Sequence, residues 1–108
     1  MKLIIHEAAE QSIVRQIEWY AEQGLPEIAR RFHGAVLSAI DALAAMPEAG
    51  APKFFASPRL AGLRSWPVDG FGEFRVYYLV HPELLAILNI LHGKRDADQH
   101  FRDRTDDR

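Results

Sequence analysis

The two segments whose apolar residues recur at helical spacing lie in the first 46 residues of this chain, and Pro47, Pro52 and Pro58 interrupt the stretch that follows them. From Glu7 onward, Ala9, Ile13, Ile17, Tyr20 and Ala21 recur at three- and four-residue steps, the spacing of one buried helical face. Glu7 and Glu10 fall where the positive end of that helix's dipole favours carboxylates. Gly24 ends the helix, and Pro26 suits the first position of the next, where a missing N–H costs nothing. The second helix extends to about Met46 with a stripe of Ala29, Phe32, Val36, Ala39, Ile40 and Leu43. A break of two or three residues between two amphipathic helices predicts an antiparallel helical hairpin.

Leu3-Ile4-Ile5 ahead of the hairpin reads as a short strand. After it, Pro47, Gly50, Pro52 and Pro58 predict an ordered loop from Pro47 to Leu60, with one short strand at Lys53–Phe55. Three further strands are predicted at Leu63–Val68, Glu73–Val80 and Leu84–His92, separated by turns at Asp69–Gly72 and His81–Glu83. Pro67 requires its strand to lie at a sheet edge or bulge, because it has no N–H for the ladder. The apolar run of the last strand suits a central position. Strand alternation puts Arg75, Tyr77 and Leu79 on one face and Phe74, Val76, Tyr78 and Val80 on the other. The resulting order, β-α-α-β-β-β, predicts an α+β fold in which the N-terminal hairpin packs on a small antiparallel sheet. A single domain over residues 1–96 is expected, with a polar C-terminal tail at 97–108 that is short helix or frayed.

The 108 residues are 48% hydrophobic and 26% charged, the composition of an ordinary folded domain. The absence of cysteine removes disulfides, a thiolate nucleophile and Cys-containing zinc sites. The longest apolar run, Leu84 to Leu91, is too short to span a bilayer, and the first residues do not form a signal peptide. A cytoplasmic protein with no membrane partner is expected.

Charge is unevenly distributed. The net value is −2, but residues 1–50 carry four basic and seven acidic groups, whereas residues 53–95 carry six basic and three acidic. The tail returns to a net negative charge. An anion-facing surface therefore belongs to the second segment.

Most catalytic signatures are missing. There is no glycine-rich phosphate loop, no GxSxG elbow and no HExxH pair. His6, His33, His81, His92 and His100 lack metal-ligand spacing, so neither a metal nor another cofactor is expected, and no small-molecule substrate is indicated. What remains is a basic set. Arg75 sits in mid-strand between aromatics, which is costly unless it faces solvent, a carboxylate or an anionic ligand. Arg64 lies on the preceding strand, and His92-Gly93-Lys94-Arg95 closes the last one. These cations either form a recognition surface on the sheet or make a solvated face paired with Asp69, Glu73 and Asp96.

The ordered set of motifs resembles toxins of the ParE/RelE superfamily. In the front half it comprises Ala8-Ala9, Ile13, Ile17-Glu18-Trp19-Tyr20, Ala29-Arg30-Arg31-Phe32 and Leu43 followed by Met46-Pro47-Glu48 and Gly50. In the back half it comprises Gly62-Leu63-Arg64-Ser65-Trp66-Pro67-Val68, Gly70-Phe71, Phe74-Arg75-Val76-Tyr77-Tyr78 and Ile90-Leu91-His92-Gly93-Lys94-Arg95-Asp96. The resemblance implies the toxin half of a type II toxin–antitoxin module, of the plasmid-stabilisation or chromosomal kind, neutralised by a small antitoxin.

Two activities occur in that superfamily. RelE-type members cleave messenger RNA on the ribosome, which needs a base, an acid and cations around the reacting phosphate. By resemblance Arg75 matches one such cation and Lys94 with Arg95 another pair. The RelE-type tyrosine, however, falls near Phe101, leaving His100 as the nuclease's titratable group. ParE-type members poison DNA gyrase, and in that case Arg64, Arg75, His92, Lys94 and Arg95 are expected to recognise the target or the antitoxin. A sequence pI near 6.2 fits ribosomal docking poorly and favours the gyrase reading over the nuclease. A third possibility is a homologue that binds antitoxin and harms nothing. The antitoxin is expected to lay an amphipathic helix between hairpin and sheet.

Overall fold

A computed structural model describes the backbone of residues 1–106 and the side chains through Arg102. The elements are β1 (Lys2–Ile5), α1 (Glu7–Glu22), α2 (Pro26–Ala45), β2 (Ala51–Pro52), a 3-10 turn at Pro58–Leu60, β3 (Arg64–Pro67), β4 (Phe74–His81), β5 (Leu84–His92) and α3 (Gly93–Asp106). The five strands form one sheet in the order β1-β5-β4-β3-β2.

The hairpin forms for the reasons written in its residues. Gly24 adopts a φ of 75°, while its N–H bonds to Ala21 O and that of Leu25 to Tyr20 O, which satisfies the last carbonyls of α1. Pro26 opens α2 and Glu27 lies in its first turn. Ala29, Phe32, Val36, Ala39, Ile40 and Leu43 are all buried. Most of this stripe packs on Val76, Tyr78, Leu85, Ile87 and Ile90 of the sheet, and Ile13, Ile17 and Tyr20 of α1 join it. A second, smaller core lies on the opposite face, where Leu60, Leu63, Tyr77, Ala97 and Phe101 meet. Alternation along β4 thus divides its side chains between the two cores as predicted.

Three expectations need revision. The sheet is mixed, because β1 runs parallel to β5 with Lys2 opposite Leu84 and Ile5 opposite Ile87, while the other pairs are antiparallel. The short strand in the loop is Ala51–Pro52 instead of Lys53–Phe55. Lys53 still donates to Leu63 O, but Phe55 turns away to pack on Phe101 at 5.3 Å, and burial of that ring ends the ladder. The segment after Asp96 belongs to a 14-residue helix that begins at Gly93 and buries Ala97 and Phe101.

Pro67 sits opposite Arg75 on β4, beyond the end of β2, which pairs only with Ser65 and Arg64. Its missing N–H therefore faces no neighbouring strand. A bulge interrupts β4–β5: Tyr77 lies opposite Asn89 and Tyr78 opposite Ile87, leaving Leu88 as the extra residue.

Candidate functional site

The alternation that sends Tyr78 into the main core sends Arg75 and Tyr77 to the other face, where α3 and the Lys53–Phe55 segment close over them. These pieces enclose a groove of about 410 Å³. Arg75 forms one wall. Its Nε donates to the Ser65 hydroxyl at 2.7 Å and its Nη2 reaches the Ser65 carbonyl at 3.4 Å. Ser65 is fully buried on β3, so this edge of the guanidinium is fixed. Lys94 enters from the first turn of α3 and donates to Asp98 Oδ2 at 2.8 Å. That hydrogen bond, with the charges of Lys94 and Arg102, outweighs burial and holds the Asp98 carboxyl below the ordinary aspartate range. Lys53 and Arg102 complete the basic lining, with Glu73 as a second carboxylate.

Tyr77 is the floor. Burial pushes its phenol above the ordinary tyrosine range, with Arg75 opposing and Asp98 reinforcing the shift. At the rim stands Phe54, whose ring is 89% exposed. Ion pairs among the described residues join Arg30 to Glu27 and Lys94 to Asp98. Neither Arg64 nor Arg75 pairs with Asp69 or Glu73, and neither Lys94 nor Arg95 pairs with Asp96.

The remaining sequence candidates disperse. Arg64 points to the hairpin side, where it donates to the carbonyls of Glu48 at 3.1 Å and Gly50 at 2.7 Å. It fastens the loop that leaves α2. His92 is exposed beside α1, its ring edge-on to Phe74 at 4.8 Å, bordering a hollow with Arg15 and Trp19. Arg95 is exposed on α3 next to Lys94 but does not line the groove.

His100 opens on a separate cavity of about 360 Å³, together with His6, Ser57 and Arg59. Its Nε2 lies 3.4 Å from the amide nitrogen of Asn89, whose oxygen accepts from Ser12 at 2.6 Å and from the Ile90 N–H at 2.8 Å. Phe101 fills the space between the two cavities, 5.4 Å from Tyr77. The structure therefore unites Arg75 and Lys94 and separates them from Arg64, His92 and His100.

Sequence reasoning overlooked Lys53, Phe54, Tyr77, Asp98 and Arg102 as parts of one site. Tyr77 was within reach, since it shares a strand face with Arg75. Lys53 and Phe54 carried no periodic signal, because their placement depends on a loop.

The family model for the ParE toxin of the type II toxin–antitoxin system, parDE, matches residues 3–97. The chain belongs to the ParE toxin family. Among solved structures, it is similar to one titled as the chromosomal ParDE TA system from P. aeruginosa, with a TM-score of 0.70 and 19% identity, covering 87% of this chain and 97% of that one. It is also similar to a YoeB/ParE toxin from Agrobacterium tumefaciens, with a TM-score of 0.56 and 19% identity over 86% and 99% of the two chains. At these identities the likeness is one of fold. No curated protein matches the sequence. As a ParE toxin, the chain has an antitoxin as its implied partner. Among the described residues of this ParE toxin, no helix is long and apolar enough to cross a membrane, and no three His, Asp or Glu side chains group as metal ligands.

Proposed function

We propose that this ParE toxin inhibits DNA gyrase by binding it, and that a cognate antitoxin neutralises it by covering the binding surface. The observation that carries the reading is the separation of the nuclease candidates. RNA cleavage requires acid, base and cations around one phosphate. Here Arg75 and Lys94 share a groove, whereas His100 opens on another cavity and Arg95 lines neither. Phe101, which stands where the RelE-type tyrosine is expected, is 1% exposed and brings no titratable group to the groove. Nor is Tyr77 suited to serve as a base near neutral pH, because burial pushes its phenol up. A groove with fixed cations and no neutral-range base is suited to recognition.

The test is induced expression in a bacterial host with and without the antitoxin, combined with gyrase supercoiling assays on the purified toxin. Filamentation, a DNA-damage response and loss of supercoiling activity are expected without antitoxin, and normal growth with it. Rapid translational arrest with messenger RNA cut at ribosomal A-site codons would overturn the proposal in favour of the RelE-type nuclease. Normal growth at confirmed soluble expression would overturn it in favour of a non-toxic homologue.

A further inference from the structure

We propose that β1 is a self-association edge. Two copies of this chain join antiparallel along Lys2–Ile5 into one continuous ten-stranded sheet, with five strands from each copy. This interface is independent of which enzyme the toxin inhibits.

The two ends of the sheet differ in how they are protected. At one end, β2 is two residues long and one of them is Pro52. So short an edge, with a proline in it, offers an incoming strand little to pair with. At the other end, β1 has no proline, its register against β5 runs unbroken, and Lys2 is its only charge. Among the described residues no strand pairs with its outer side. Leu3 and Ile4 are 44% and 41% exposed, so this edge is apolar as well as open.

The bonds to β5 identify which backbone groups of β1 are left over. The N–H groups of Lys2 and His6 donate to Glu83 O and Ile87 O, so the even residues face β5. The N–H and C=O of Leu3 and Ile5 therefore point outward. When a second copy lies antiparallel with its Ile5 opposite Leu3, the two residues exchange both bonds on each side of a two-fold axis. Every outward group of the strand is then used. Ile4 meets its own copy across the axis on one face of the sheet, and Leu3 packs beside Ile5 on the other. A shift of one residue would set outward groups against inward ones and lose the ladder.

Charge selects a second copy as the occupant. Lys2 begins the strand, and Glu7 and Glu10 stand in the first turn of α1 just beyond its end. Reversal of the second copy sets each Lys2 opposite His6 and within reach of the other copy's acidic turn, twice in the dimer. Lys2 makes no ion pair among the described residues of one copy, and Glu7 accepts a hydrogen bond from Gln11. A strand of unrelated sequence would satisfy the ladder but not these charges. Parallel pairing would set Lys2 beside Lys2.

The experiment uses the full chain without antitoxin. Sedimentation velocity should show a monomer giving way to a dimer as concentration rises, because so short an edge buries less than a permanent interface does. Ile4→Lys sets like charges across the axis and should leave a monomer throughout, while melting like the dilute parent because the position is exposed. The chain has no cysteine, so a single introduced one reports the register. Residues facing each other in a non-hydrogen-bonded pair have Cα atoms about 4.5 Å apart, within disulfide reach. Ile4→Cys should therefore oxidise to a linked dimer. Leu3→Cys, two residues out of register with its own copy, should stay unlinked under the same conditions. A monomer up to millimolar concentration, equal cross-linking of the two cysteine variants, or a dimer that survives Ile4→Lys would each overturn the proposal. So would hydrogen-exchange protection of the Leu3 and Ile5 amides that arises only when antitoxin is added, since the edge would then belong to the antitoxin.

Discussion

The backbone N–H of Gly50 donates to the hydroxyl of Tyr78 at 2.8 Å, joining the loop that leaves α2 to the middle of a buried strand. A Cβ at position 50 would lie 2.3 Å from that hydroxyl and 2.8 Å from the Ser65 carbonyl. Only glycine permits this approach. Gly50→Ala is expected to cost about 2–4 kcal/mol, from overpacking together with the lost hydrogen bond. Tyr78→Phe, which keeps the ring and orphans the buried N–H, should cost about 1–3 kcal/mol. Urea unfolding measures both, and the two losses should not add, because they disrupt one contact.

Arg64 and Arg75 have different duties although they lie on neighbouring strands. Arg64→Gln removes two hydrogen bonds to loop carbonyls and should lower stability by about 1–3 kcal/mol. Its toxicity should fall only as its soluble level falls. Arg75→Gln should abolish growth inhibition at an unchanged soluble level. Growth curves paired with immunoblots and melting curves distinguish the two, and the opposite pattern would refute the assignment.

Phe101 lies 5.3 Å from Phe55 and 5.4 Å from Tyr77 in the smaller core. Phe101→Ala should cost about 3–5 kcal/mol. Phe101→Tyr places a hydroxyl in the same packed site and should cost about 1–3 kcal/mol without creating ribosome-dependent RNA cleavage. Denaturant titration and primer extension on translated messenger RNA are the respective measurements.

Asp98 supplies a pH test. Its carboxyl is held down first by the Lys94 hydrogen bond, so its folded value lies below its unfolded one. The stabilisation is then complete at all pH above the unfolded value, near pH 4, and is lost as pH falls through the lower folded value. Nothing should change across the neutral range from this group. In an NMR titration Asp98 should protonate below the ordinary aspartate range, and Lys94→Gln should move its midpoint upward.

Local chemistry made much of the fold legible in the sequence. The hairpin comes from Gly24, Pro26 and two stripes at helical spacing, and the two faces of β4 come from alternation. Pro67 even announced the edge that it occupies. What escaped depends on contacts between distant segments. The parallel pairing of β1 with β5 has no local signature, since Leu3-Ile4-Ile5 would serve either direction. The α3 segment reads as polar because Ala97 and Phe101 are its only apolar residues before Asp106, yet spaced four apart they suffice to bury one face. Of the candidate site, Arg75 and Lys94 were visible as cations. Their separation from Arg64 required the register, and their union with Lys53 and Phe54 required the course of a loop.

The parallel β1–β5 pair also dictates how the chain can fold as it leaves the ribosome. The hairpin emerges first, with Phe32, Val36, Ile40 and Leu43 facing nothing, and the strands that cover them are among the last residues made. Lys2 has no neighbour until Leu84 has been synthesised. Closing so long a loop is entropically slow, and the uncovered stripe is sticky in the interval. The sheet that covers the hairpin can therefore close only after the final third of the chain has been made.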